Sequence, residues 1–185
     1  MVEVQYPAGF KLNAIRPQVK LEIGPLASWV PSASYSIRPY VAESFPKLFT
    51  RSVCNVTAIT AERTFWEKAT ILHQQSHRTT TMPSGYSRHY YDMVMLASSS
   101  VKTNALGNLP LLREVVEFKQ RFYRSGWARY DLATPGTFRL LPNEAGEKSL
   151  RDDYRAMRPM FFSEPPSWDA ILASLEKLEK EINSL

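Results

Sequence analysis

Apolar and polar residues alternate in two stretches near the start of the chain. Glu3 and Gln5 separate Val2, Val4 and Tyr6, and Lys20 and Glu22 separate Val19, Leu21 and Ile23. A period of two sends successive side chains to opposite faces, so the pattern predicts strands over 2–6 and 18–24. Turn residues follow each, Pro7 to Gly9 and then Gly24-Pro25. Residues 25–50 are rich in Pro, Ser and aromatics without a firm period. Short strands over 36–41 and 52–59 and a helical turn within 42–49 are the expectations there.

From Thr60 the spacing changes to three and four. Thr60 suits an N-cap, Phe65, Ala69 and Leu72 share one face, and Arg63 and Glu67 are spaced for an exposed i,i+4 pair. A polar loop over 78–86 leads to a second helix over 87–97, with Tyr90, Val94 and Ala97 on one face. After a connector over 104–110, Pro110 opens a third helix carrying Leu112, Val115, Val116, Lys119 and Phe122. Gly126 closes it beside a basic run, Lys119, Arg121, Arg124 and Arg129. Residues 131–143 read as loop with one strand over 137–141. A fourth helix is expected over 147–162, kinked or ended early by Pro159. Pro165-Pro166 breaks the chain before a fifth helix that starts near Ser167. Strands first and helices after predict an α+β fold. Its parts are a small, partial, mixed or antiparallel sheet of three to five strands over 1–59 and a bundle of about five helices over 60–185.

Composition changes this picture little. The 185 residues are 44% hydrophobic and 22% charged, with 4 Trp and 9 Tyr, as in a folded domain. The net charge of +5 is compatible with nucleotide or nucleic acid but does not require either. The single cysteine, Cys54, excludes an intrachain disulfide and a thiolate zinc site; among Val53, Val56 and Ile59 it is expected to be a buried, inert thiol. No signal peptide or membrane span is visible, which fits a cytoplasmic protein.

Few residues stand out chemically. Lys68 follows the apolar stripe of its helix, and reads either as a lysine whose stem covers the core or as a point charge for phosphate. Arg88 and Asp92 lie one turn apart: either a surface ion pair, or a pair at a cleft mouth where Asp92 orients a basic group or receives a proton. Glu22 beside Lys20 is either a solvated carboxylate or a base or metal ligand near a sheet edge. His73, His77 and His89 lack the HExxH pattern and make no zinc site.

Several stretches together resemble the AbiEii/AbiGii toxin-type nucleotidyltransferases of the DNA polymerase β-like superfamily. They are Val-Lys-Leu-Glu-Ile-Gly24, Ile-Arg-Pro-Tyr-Val-Ala-Glu43, Glu-Arg-Thr-Phe-Trp-Glu-Lys-Ala-Thr-Ile-Leu-His73 and Ser-Arg-His-Tyr-Tyr-Asp92, with Asp-Tyr-Arg-Ala-Met157 and Pro-Pro-Ser-Trp-Asp169 later. The resemblance spans nearly the whole chain. It implies Mg²⁺-dependent transfer of a nucleotidyl group from an NTP to an acceptor such as tRNA, in a toxin–antitoxin and abortive-infection setting. Carried over by position, Glu22, Lys68 and Asp92 would be catalytic, and Lys20, Lys68 and Arg88 would bind nucleotide. Lys68 stands for the family's helix lysine, and Asp92 for an acid of its Arg-Asp-x-x-Asp-like segment. His89 replaces the first acid of that segment, and Glu22 the acid of a Lys-x-Asp strand. The family's Gly-rich turn and its Asp-x-Asp/Glu metal pair do not occur and are expected before residue 1. The resemblance therefore implies a truncated transferase, inactive as this chain alone and with no metal ligands of its own. The alternatives are a non-catalytic RNA- or protein-binding module, motivated by the basic run from Lys119 to Arg129, or half of an enzyme completed by a partner chain. An antitoxin protein and a homodimer through an open sheet edge are the expected protein partners.

Overall fold

The computed structural model describes residues 1–9, 16–24 and 28–185; Pro25, the expected end of the second strand, lies outside them. Val2–Gln5 (β1) pairs antiparallel with Gln18–Leu21 (β2), Val2 opposite Leu21 and Val4 opposite Val19. Ser32–Ile37 (β3) pairs antiparallel with Cys54–Ile59 (β4), Tyr35 opposite Val56 and Ile37 opposite Cys54. Among the described residues the four strands make two separate ribbons, not one sheet. The strand expected over 36–41 ends at Ile37. Pro39 has no N–H for a ladder and stands instead before the short helix Tyr40–Ser44 (α1), which a 3-10 turn, Pro46–Leu48, follows.

The registers sort side chains by face. Val2, Val4, Val19 and Leu21 share one face of the first ribbon, and Tyr35, Ile37, Cys54 and Val56 one face of the second. All eight are exposed, Val4 at 51% and Ile37 at 49%. Cys54 is thus not the buried thiol expected, because among the described residues no layer covers the apolar face that holds it. The chain exposes 12328 Å². A folded monomer of 21.2 kDa is expected to expose about 9,100 Å². Open ribbon faces are part of the difference.

The helical body is closed. Ala61–Ser76 (α2) is capped by Thr60, whose hydroxyl accepts from the Arg63 N–H. Ser87–Ala97 (α3), Ser100–Leu106 (α4) and Leu109–Phe122 (α5) follow, then Glu144–Ala156 (α6) and Trp168–Asn183 (α7). Phe65, Trp66, Ala69 and Leu72 of α2 are fully buried and pack with Tyr90 and Met93 of α3, Val115 of α5 and Ile171 and Leu175 of α7. Burying each large side chain stabilises the fold by roughly 1.5–3 kcal/mol.

Four expectations are corrected. The helix α4 was unforeseen: seven residues carry too little period, and its start is marked only by the Ser99 hydroxyl, which accepts from the Val101 N–H. The fourth helix begins at Glu144, where Asn143 caps it, and ends at Ala156; Pro159 falls in the 3-10 turn Arg158–Met160. Residues 137–141 form no strand. Phe138 and Leu140 point inward at strand spacing, but their backbone bonds go to side chains of α7: Phe138 N–H to Asn183 Oδ1 at 2.8 Å and Leu140 N–H to Glu179 Oε2. Finally, Arg63 and Glu67 do pair, at 3.1 Å, but Arg63 is 2% exposed. Its guanidinium also donates to the Val30 carbonyl and lies 6.0 Å from the Phe118 ring, so it ties the chain ahead of β3 to the helical body.

Candidate functional site

Lys68 projects from the middle of α2 toward α3. Its Nζ is 2.6 Å from Asp92 Oδ2 and 3.1 Å from His89 Nδ1. His89 and Asp92 are three residues apart on α3, so one helical face presents both. An ammonium only donates, so the Nδ1 facing it is a lone pair and the His89 proton sits on Nε2. Burial and the nearby charges of Lys68 and Arg88 push His89 down to about 4, so the imidazole is neutral at pH 7. The Tyr86 ring closes on it edge-on at 5.2 Å. Lys68 remains 21% exposed and Asp92 39%.

The neighbourhood is rich in cations. Arg88 is exposed, and among the described residues it has no carboxylate at ion-pair distance. The surface pair Arg88–Asp92 does not form, because Asp92 turns to Lys68 across the helix interface. Lys119, in the last turn of α5, is half-buried; burial lowers its pKa and the charge of Glu67 partly restores it. Its charge reaches His89. Lys20 and Glu22, beside the end of β2, pair with each other at 2.8 Å and make no bond to Lys68, His89 or Asp92. The Lys20 ammonium holds the Glu22 carboxyl below its ordinary value, with a smaller contribution from Arg88.

Asp153 of α6, outside the set singled out in the sequence, positions that start. It accepts from the Gly85 N–H at 2.7 Å, the Ser87 N–H at 3.0 Å and the Ser87 hydroxyl at 2.6 Å, with Ser84 Oγ at 3.3 Å. Burial raises its carboxyl, but these hydrogen bonds outweigh burial and leave it below the ordinary value. The carboxylate therefore caps α3 from another helix and favours its positive N-terminal dipole. Gly85 takes a left-handed φ of 79°, which lets the loop turn into this clamp. The signal was present, as Ser84, Gly85 and Ser87 are loop donors, but their partner lies 66 residues or more away.

His73 is engaged by the backbone of the loop packed against α2. His73 is fully buried and neutral, its Nδ1 accepting from the Arg139 N–H at 3.1 Å and its Nε2 donating to the Arg129 carbonyl at 2.9 Å. Burial pushes it down to about 4.

The cations fit phosphate; the carboxylates do not fit a metal. Among the described residues no three His, Cys, Asp or Glu side chains gather closely enough to hold an ion. Asp92 is taken up by Lys68 and Glu22 by Lys20. Also among the described residues, no helix is long and apolar enough to cross a membrane.

No curated protein and no solved structure matches the chain. A family profile does, over residues 1–174, which include β1 through the clamp on α6 and most of the first two turns of α7. Its description is the nucleotidyl transferase AbiEii toxin of type IV toxin–antitoxin systems, and the chain belongs to that family.

Proposed function

We propose that Lys68, with Arg88 at the start of the facing helix, is the phosphate-holding part of a nucleotidyl-transfer site, and that residues 1–185 do not complete that site alone. The observation that carries this is the Lys68–Asp92–His89 cluster. Asp92 and a neutral His89 fix the direction of a partly exposed ammonium, while Arg88, four residues before Asp92 on α3, has no carboxylate partner among the described residues. A preset lysine and an unpaired arginine suit the terminal phosphates of an NTP. Asp92 would give up part of its hold on Lys68 as phosphate arrives. The family chemistry is transfer of a nucleotidyl group to an acceptor such as tRNA, with Mg²⁺ neutralising the triphosphate when bound. The carboxylates here do not supply that ion's ligands, so no catalytic step is assigned to them.

Titration of the full chain with an NTP tests the reading. Binding that weakens about tenfold in Lys68→Met, as expected for loss of one charged hydrogen bond, supports it. Nucleotide binding indifferent to both Lys68→Met and Arg88→Ala would remove it. The claim of incompleteness fails if the purified chain transfers labelled nucleotide to RNA at a rate abolished by Lys68→Ala.

A second reading rests on the open ribbon faces. Val4, Val19, Tyr35 and Val56 stand exposed in register, and a two-stranded ribbon leaves backbone donors and acceptors unpaired on both edges. In this reading the chain is one part of an assembly, completed by a second chain or a second copy laid on those ribbons. An antitoxin protein is the other partner that the family implies.

A further inference from the structure

Past Lys119, the basic run that ends α5 lies outside the site above. Arg121, Arg124 and Arg129 alternate there with Phe122, Tyr123 and Trp127, and all six side chains are exposed, Trp127 at 40%. Several cations lie over rings: Arg78 4.6 Å from the Trp127 centroid, Arg121 5.3 Å from Phe122 and Lys119 5.4 Å from Tyr123. Between Arg124 and Arg129 is a hollow of about 270 Å³, which Gln120, Ser125 and Asp131 also line.

The segment is held in shape rather than left to drift. Arg129 adopts a left-handed backbone, φ 47° and ψ 40°, which a residue with a Cβ takes only at a cost. Buried His73 grips its carbonyl, and Asp131 receives its guanidinium at 2.9 Å. The surface also leads back to the candidate site. Tyr130 in the loop donates its hydroxyl to Gln74 of α2 at 3.0 Å, the helix that carries Lys68.

We infer that this surface, from Arg121 to Asp131, is a binding track for single-stranded RNA. Exposed aromatic faces stack unpaired bases, and interleaved guanidiniums meet the phosphates between them. A duplex hides its base faces and would leave Trp127 and Phe122 unused. The side-chain oxygens of Gln120 and Asp131 in the hollow are acceptors that can receive a hydrogen bond from a ribose 2′-hydroxyl, so RNA is favoured over DNA. The track does not depend on the phosphate-holding role of Lys68.

Fluorescence anisotropy on the full chain tests it, with a labelled single-stranded RNA of mixed sequence, the same sequence as DNA, and vesicles containing phosphatidylserine as probes. The expected result is RNA binding that weakens about tenfold in Trp127→Ala. Arg124→Ala should weaken it and reduce the slope of log affinity against log salt by about 0.7. Arg129→Gly relieves the left-handed residue, so it should keep or raise the unfolding midpoint while still weakening RNA. That variant keeps the test decisive if Trp127→Ala does not fold. RNA affinity unchanged in Arg124→Ala and Arg129→Gly overturns the track. DNA binding as tight as RNA, or vesicle binding without RNA binding, also overturns it. Lys68→Met reports separately: it should weaken the NTP and leave RNA affinity as it is.

Discussion

Residues 32–37 and 54–59 make a ribbon whose apolar face stays open, whereas residues 61–76, next in the chain, make a helix whose apolar face is fully closed. Both obey their period. Tyr35, Ile37 and Val56 segregate to one side as cleanly as Phe65, Ala69 and Leu72 do. The difference lies in what stands opposite. Residues of α3, α4 and α5 fold back onto α2 and α7 packs on α3, and among the described residues no element covers the ribbons in the same way. Patterning therefore assigns a face without assigning its cover. The open ribbon faces contribute to a chain surface about 3,000 Å² above that expected for its mass.

The largest effect expected from this contrast is in the core. Phe65→Ala should destabilise the chain by about 3–5 kcal/mol in urea unfolding, and Tyr35→Ala by less than about 1 kcal/mol. Equal costs would mean that the ribbon face is covered in solution, and the comparison would break.

Acid should act on the helical half next. Burial lowers His73 from 6.5 to about 4. The unfolded chain binds this proton more readily, so the stability conferred by neutral His73 is complete above pH 6.5. It declines as the pH falls from 6.5 toward 4, by about 3 kcal/mol in all. His89 shifts in the same direction. Urea midpoints taken across that range should fall with pH, and His73→Gln should flatten the curve. A flat curve in the parent protein would show that His73 is hydrated.

Asp153→Ala should cost about 2–3 kcal/mol, since it leaves the Gly85 and Ser87 donors without their charged acceptor. Amide exchange should then quicken at residues 84–90 before it does in α2. Uniform loss of protection would argue that the clamp supports the whole fold and not the start of α3. The smallest change in stability, within about 0.5 kcal/mol, is expected for Val4→Thr with Val19→Thr on the ribbon. The same pair should reduce any self-association seen by sedimentation. Association that is indifferent to it would place the interface elsewhere.

Much of the helical half was legible along the chain. Thr60 and Ser167 start their helices where a capping hydroxyl precedes an apolar period, and the limits of α3 were readable from spacing. The fold class followed from the order of elements. Of the candidate site only residue types are legible along the chain: Lys68 and Asp92 stand out by charge and by the family resemblance. Their contact was not readable, because the evident partner of Asp92 by spacing was Arg88, four residues away, while the partner found is on another helix. Asp153, distant in sequence from the loop it clamps, was unreadable for the same reason.

Local patterning, then, settled the elements, their faces and their order, because period and capping act over four residues or fewer. Packing settled which faces close, that Arg63 is buried and Cys54 exposed, and that an acidic, a basic and a neutral imidazole group meet between α2 and α3. Those outcomes depend on which distant surfaces exclude water from one another, and no short window of sequence carries that information.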